Sequence, residues 1–205
     1  MTPEIRAGEP RVIDAAELPS YGYGHRSLMW WGTFGMIAIE GTVFGLAIIA
    51  YFYVRTRVNE WPPSAPPPDL VWGTANLVLM LVSLIPNHLT KRAAEREDLA
   101  SVRLWLWVCV LFGVGFLILR VLEFTTLNVR WDLNAYGSAL WMLLSLHTVH
   151  VATDFWDTTV LAALISTSRI HGKRFVDVSE NGMYWYFVVY AWIPIYAIIY
   201  FGARV

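Results

Sequence analysis

Five mainly apolar runs lie at 28–54, 70–89, 102–122, 136–165 and 183–201, and an α-helix needs roughly 20 such residues to cross a bilayer. In lipid only helices and closed barrels satisfy their own backbone hydrogen bonds. A barrel would need short segments alternating with a period of two, whereas these runs are continuously apolar. The expected fold is therefore all-α: an integral membrane bundle of five transmembrane helices over 28–205, preceded by a tail over 1–27. Of the 205 residues 57% are hydrophobic and only 15% charged, a balance too apolar for a soluble domain.

The tail holds Glu4, Glu9, Asp14 and Glu17 and has no apolar core, so it does not resemble a cleavable signal peptide and is expected to be cytoplasmic. With that placement the inner segments carry Arg6, Arg11, Arg26, Lys91, Arg92, Arg96, Arg103, Arg169, Lys173 and Arg174, and the outer ones Arg55, Arg57, Arg120, Arg130 and Arg204. The excess of Lys and Arg marks the cytoplasmic side, which predicts N-terminus in and C-terminus out. Trp30, Trp31, Tyr51, Tyr53, Trp72, Trp131, Tyr136, Tyr184 and Trp185 gather near span ends, where amphipathic rings anchor at the headgroups. The proline-rich stretch over 61–68 cannot continue a helix and is expected to form a stiff outer loop.

A net charge of −1 gives no footprint for a nucleic acid partner. Cys109 is the single cysteine, which excludes an internal disulfide, a Cys-x-x-Cys-His haem attachment and an iron–sulfur cluster held within the chain.

Ionisable groups inside a membrane are costly and need a reason to be there. Glu40 lies about 18 Å into the first run at the helical rise, near the midplane, and is expected to be protonated or hydrogen-bonded to a partner. Asn76 and Ser83 share a face of the second helix, as groups do that bond across to a neighbour. Arg120 and Glu123, three apart, can pair and snorkel toward water at the end of the third. His147, His150, Asp154 and Asp157 follow at spacings of three, four and three, one stripe of the fourth helix. Such a stripe can ligate a metal, relay protons, or close a structural hydrogen-bond network. It suits a bis-histidine haem poorly, because both rings leave the helix in the same direction.

Several motifs follow one another in order. The first helix reads Gly35-Met-Ile-Ala-Ile-Glu-Gly-Thr-Val-Phe-Gly45, with Trp61-Pro-Pro63 after it and Asn76 with Ser83 next. Then come Phe116-Leu-Ile-Leu-Arg-Val-Leu-Glu-Phe124, Tyr136-Gly-Ser138, His147-Thr-Val-His150-Val151 and Tyr184-Trp-Tyr-Phe-Val-Val-Tyr-Ala-Trp192. Their order and spacing resemble the subunit III family of haem-copper cytochrome oxidases, in its five-helix bacterial form. Against the family pattern, Arg120 stands for glutamine, Tyr186 for histidine and Val189 for aspartate, and Asp154 and Asp157 occupy positions that are usually small or apolar. These departures mark a divergent branch.

The resemblance implies a non-redox accessory subunit without catalytic residues, metal or haem of its own. It would pack on oxidase subunits I and II, where haem and copper reside, support proton uptake and protect the catalytic site from inactivation. The candidates for proton uptake or for buried polar positions in this chain are Glu40, Glu123, His147, His150, Asp154 and Asp157, and the structural positions that the motifs carry over are Trp61, Asn76, Ser83, Arg120, Trp185 and Trp192. It further implies a multi-pass protein of the bacterial inner (cell) membrane, with membrane lipids, a bound phospholipid and a larger respiratory supercomplex as further company. Members of this length correspond to the last five helices of a seven-helix form, so a lipid-filled cleft completed by the extra pair would be missing or built by another subunit. A quinol oxidase or nitric oxide reductase could equally own such a subunit. From another class, a small proton-coupled transporter or channel would line a path with the same acids, but no inverted repeat is visible.

Overall fold

The computed structural model describes residues 21–63, 66–167 and 172–204. The tail residues Arg6, Arg11, Glu4, Glu9, Asp14 and Glu17 lie outside the described residues, as does Arg169. Among the described residues there are five α-helices and no strand: α1 (Leu28–Arg55), α2 (Leu70–Glu95), α3 (Leu99–Thr125), α4 (Ala135–Thr167) and α5 (Lys173–Tyr196). A five-residue π-helical turn, Ala197–Phe201, continues α5. It begins just past Pro194, which withholds one rung of the helical ladder.

Four of the five starts have a side chain to receive an orphan amide, α5 beginning after Gly172 without one. Ser27 accepts from the Met29 amide at 3.1 Å and Asp69 from that of Val71 at 3.3 Å. Asn134 accepts from that of Gly137 at 2.8 Å. Asp98 accepts from the Ser101 hydroxyl at 2.6 Å and amide at 3.3 Å, and these bonds hold its carboxyl below the usual carboxylate range. A carboxyl held low in the folded state stabilises above its unfolded pKa and stops doing so as the pH falls through its folded pKa.

Two sets of ties define the ends of the bundle. At one end the hydroxyl of Tyr21 donates to Glu97 at 3.0 Å and that of Tyr23 to the Ala94 carbonyl at 3.2 Å, fastening the approach to α1 onto the α2–α3 turn. At the other end the proline loop is stapled down. Trp61 Nε1 donates to the Tyr51 hydroxyl at 2.9 Å, Asn134 to the Pro63 carbonyl at 3.4 Å, and Arg204 to the Pro68 carbonyl at 2.6 Å.

Helices α2 to α5 pack around a shared interior, and α1 lies against α4 and α5. The interior is built on Tyr51, Phe116, Tyr136, Leu143, Leu144, Val188 and Trp192, with a second cluster of Ala94, Val102, Leu106, Ile165 and Val178. The outside is as apolar as the inside. Ile39, Leu46 and Ile49 of α1, Ile85 of α2 and Leu111 and Val121 of α3 are all exposed, the pattern of a protein whose solvent is hydrocarbon.

Four helices are long and apolar enough to cross a membrane: α1, α2, α3, and α5 with its π turn. The expected fifth span, α4, is not among them. It is the longest helix, but His147, His150, Asp154, Asp157 and a series of threonines lower its apolarity.

Contact at small residues sets how closely the helices approach. A β-carbon on Gly113 of α3 would run into the Phe155 ring of α4, whereas one on Gly35 of α1 would meet nothing. Gly113→Leu is expected to cost about 1–3 kcal/mol by overpacking and Gly35→Ala to leave stability unchanged, as read by thermal unfolding of the purified chain. Asp98→Ala should lower the midpoint at neutral pH, with the gap to the unsubstituted chain closing as the pH drops below the ordinary carboxylate range.

Candidate functional site

The interior holds a salt bridge that four helices share. Arg120 and Glu123 leave one face of α3 and meet at 2.7 Å with side chains only 2% and 1% exposed. They pair, but away from water. The expected snorkelling does not occur, because α2, α4 and α5 each close over the pair, and Arg120 is no outer-surface charge.

Every neighbour of the pair supplies a matching group. Arg120 Nη2 donates to His147 Nδ1 at 3.2 Å, and His147 Nε2 donates to the Val188 carbonyl at 3.0 Å. A guanidinium has no acceptor, so Nδ1 is the accepting nitrogen and the imidazole is the neutral Nε2–H tautomer. The guanidinium also lies 4.1 Å from the centre of the Trp192 ring, a cation–π contact. Glu123 receives Arg120 and the Asn76 amide, at 3.4 Å, on Oε2, and the Tyr200 hydroxyl on Oε1. Ser83 accepts from Trp185 Nε1 at 3.0 Å and donates to the Met80 carbonyl at 2.6 Å.

Glu40 belongs to a second place, in the seam where α1 rests on α4 and α5. The Tyr184 hydroxyl donates to its Oε2 at 2.7 Å, and His150 Nε2 stands 3.8 Å from the same oxygen. His150 Nδ1 is 2.6 Å from the Leu146 carbonyl and donates to it. The Glu40 side chain is 24% exposed. It is thus a partly open acid with a fixed tyrosine donor and a nearby imidazole.

The fourth-helix stripe is divided among different surroundings. His147 turns inward to Arg120, His150 faces α1 beside Phe44, Asp154 is 3% exposed inside the bundle, and Asp157 lies on the outside. The reason is phase: residues 147 and 154 fall on one row of the helix, 150 and 157 on the next. Among the described residues Asp154 and Asp157 have no bond to His147, His150 or a base on another helix, and no group of three or more His, Cys, Asp or Glu is placed to hold a metal. Trp61 packs edge-on against Tyr51 and Tyr136.

Sequence reasoning missed Tyr184 and Tyr200 as donors to the two glutamates, and missed Glu180, buried near the start of α5. The four-residue spacing of Trp192, Tyr196 and Tyr200 was the available signal for an inward aromatic row.

The fold and its interior define a multi-pass helical membrane protein stabilised by a buried polar network. No family model matches the chain. Cytochrome c oxidase subunit 3 of Thermostichus vulcanus is 24% identical over 90% of this chain and 92% of its own length. That of Synechocystis sp. is 24% identical over 87% and 77%, and that of Bacillus subtilis 25% over 78% and 80%. Together with the ordered motifs, these relatives make the chain similar, over most of its length, to cytochrome c oxidase subunit 3 proteins.

Removing one member of the buried pair leaves the other charge without its counter-ion. Arg120→Leu and Glu123→Leu should each destabilise the chain by about 3–5 kcal/mol, and the double replacement by far less than their sum, in a double-mutant cycle read by denaturant unfolding.

Proposed function

We propose that this chain is the non-redox accessory subunit III of a haem-copper terminal oxidase, stabilising the catalytic subunit and supporting proton uptake during oxygen reduction. The observation that carries this reading is the near full-length match to proteins named cytochrome c oxidase subunit 3. On this reading haem and copper belong to subunits I and II, which this chain contacts with its broad apolar exterior. The membrane is the bacterial inner membrane.

All five helices then cross the bilayer. With 33 residues, α4 is about 50 Å long at the helical rise, ample for a hydrocarbon core of about 30 Å. Its polar groups His147, Asp154 and Thr158 are buried, while Val149, Trp156 and Val160 face outward. The end bearing the α2–α3 turn is cytoplasmic. Arg26, Lys91, Arg92, Arg96, Arg103, Lys173 and Arg174 gather there, against Arg55, Arg57, Arg130 and Arg204 at the other end, and the richer end stays inside.

Glu40 is the residue we assign to proton handling. Its carboxylate combines partial exposure with a tyrosine donor and an imidazole within 4 Å, which is the composition of a proton-exchanging group. The remaining members, Glu123, His147, Asn76, Ser83, Trp61, Trp185 and Trp192, are assigned to architecture.

Mild purification should bring down subunits I and II with haem spectra in the complex and none in this chain separated from it. Glu40→Gln should leave that assembly intact and alter proton uptake or shorten activity over many turnovers. Oxygen consumption and pumping that stay unchanged through prolonged turnover would remove Glu40 from the mechanism.

A further inference from the structure

Between α2, α3, α4 and α5, on the cytoplasmic side of the Arg120 network, lies a cavity of about 20 Å³ whose polar wall is Asn87, Thr90, Cys109, Asp154, Thr158 and Asn181 and whose remaining wall is largely apolar, Phe112 and Phe155 among it. A polar cavity of roughly 10–15 Å³ or more can hold a water that finds two to four partners. The hydrogen bonds its lining makes run elsewhere. Asn87 donates to the Gly182 carbonyl at 2.9 Å, Asn181 to Thr158 at 2.8 Å, and Thr90 to the Pro86 carbonyl at 2.8 Å. The Thr158 hydroxyl stands beside the Asp154 carboxyl, whose Oδ1 is buried and, among the described residues, without a partner. That oxygen calls for a further donor.

On α2, Asn87 at the cavity is followed at spacings of four by Lys91 and Glu95, a polar row that leads to the end of the bundle. Ser179 Oγ receives the Lys91 ammonium at 2.8 Å and donates to Glu95 at 3.3 Å, and Lys91 pairs with Glu95 at 3.1 Å. Glu180 is 3% exposed with neither oxygen partnered among the described residues, and it does not line the cavity. Lys91 and Glu95 are themselves 23% and 40% exposed. The titratable groups around Asp154 are Cys109 on α3, Tyr184 on α5 and the outward Asp157 on its own helix.

We propose that the cavity is a hydration site: a water held by Asp154 and exchanging with the aqueous phase at the Lys91–Glu95 end. It gives the bundle a proton-accessible chamber inside this chain, separate from Glu40. The inference stands on the cavity and its orphaned acid and does not depend on the role assigned to Glu40.

Cys109 lines the cavity and is the single cysteine of the chain, so conversion of its S–H to S–D reports water at this one place. The full chain in lipid nanodiscs is transferred to D2O and the growth of the S–D band, which lies clear of the solvent's O–D stretch, is timed against the backbone amides. The expected result is thiol exchange within minutes, while most helix amides persist. Asp154→Leu should slow it to the rate of the amides, and Asp157→Asn should leave it unchanged. A thiol that exchanges no faster than the helix amides in the unsubstituted chain means a dry cavity and overturns the proposal. Exchange equally fast in Asp154→Leu and, should that variant misfold, in Asp154→Asn, overturns it too. No turnover is involved, so failure here is separate from failure of the Glu40 assignment.

Discussion

A charge pair inside a bundle that is apolar on its outside as well is tolerable only if its hydrogen-bonding capacity is met locally. Arg120 and Glu123 sit on α3, but the groups that satisfy them come from α2 (Asn76), α4 (His147) and α5 (Trp192 and Tyr200). Association through apolar contact distinguishes poorly between helix faces when lipid is equally apolar. The pair therefore fixes which faces of four helices turn inward, and the tautomer of His147 fixes its ring against the Val188 carbonyl of α5.

The same demand explains the odd composition of α4. This helix supplies His147 to the pair and Asp154 and Thr158 to the region below it, so much of its polarity is turned inward, Asp157 being the outward exception. The helix whose most apolar stretch falls short of those in the other four is the one from which the other helices cover a histidine, an aspartate and a threonine. By contrast α1, which supplies no group to the Arg120 pair, is almost wholly apolar and keeps most of its large side chains on the outside.

The helices were readable from the sequence because uninterrupted apolar runs have one economical solution in lipid. Their ends were less so. Helix α5 begins at Lys173, well before the apolar run at 183, since its first turns carry Lys173, Arg174, Asp177 and Glu180, which an apolar reading discards. The fourth-helix stripe was visible as a stripe, yet its division was not: whether a row faces α1, the interior or the outside depends on the neighbours. The pairing of Arg120 with Glu123 is local and could be read from their spacing. The partnership of Glu123 with Tyr200, across 77 residues, belongs to the packing alone.

Glu40 and Asp154 are both acids in a membrane bundle, but their settings differ in what can alter them. Asp154 is enclosed by four helices locked through the Arg120 network, so its surroundings are fixed when the chain folds. Glu40 lies in the seam between α1 and the remaining helices, partly open, with α1 held by α4 and α5 and presenting a broad apolar face outward. Whatever covers that face presses on the seam. The Glu40 seam is thus the acid site closest to the outer face of α1, with Tyr184 standing between it and the interior that holds Asp154.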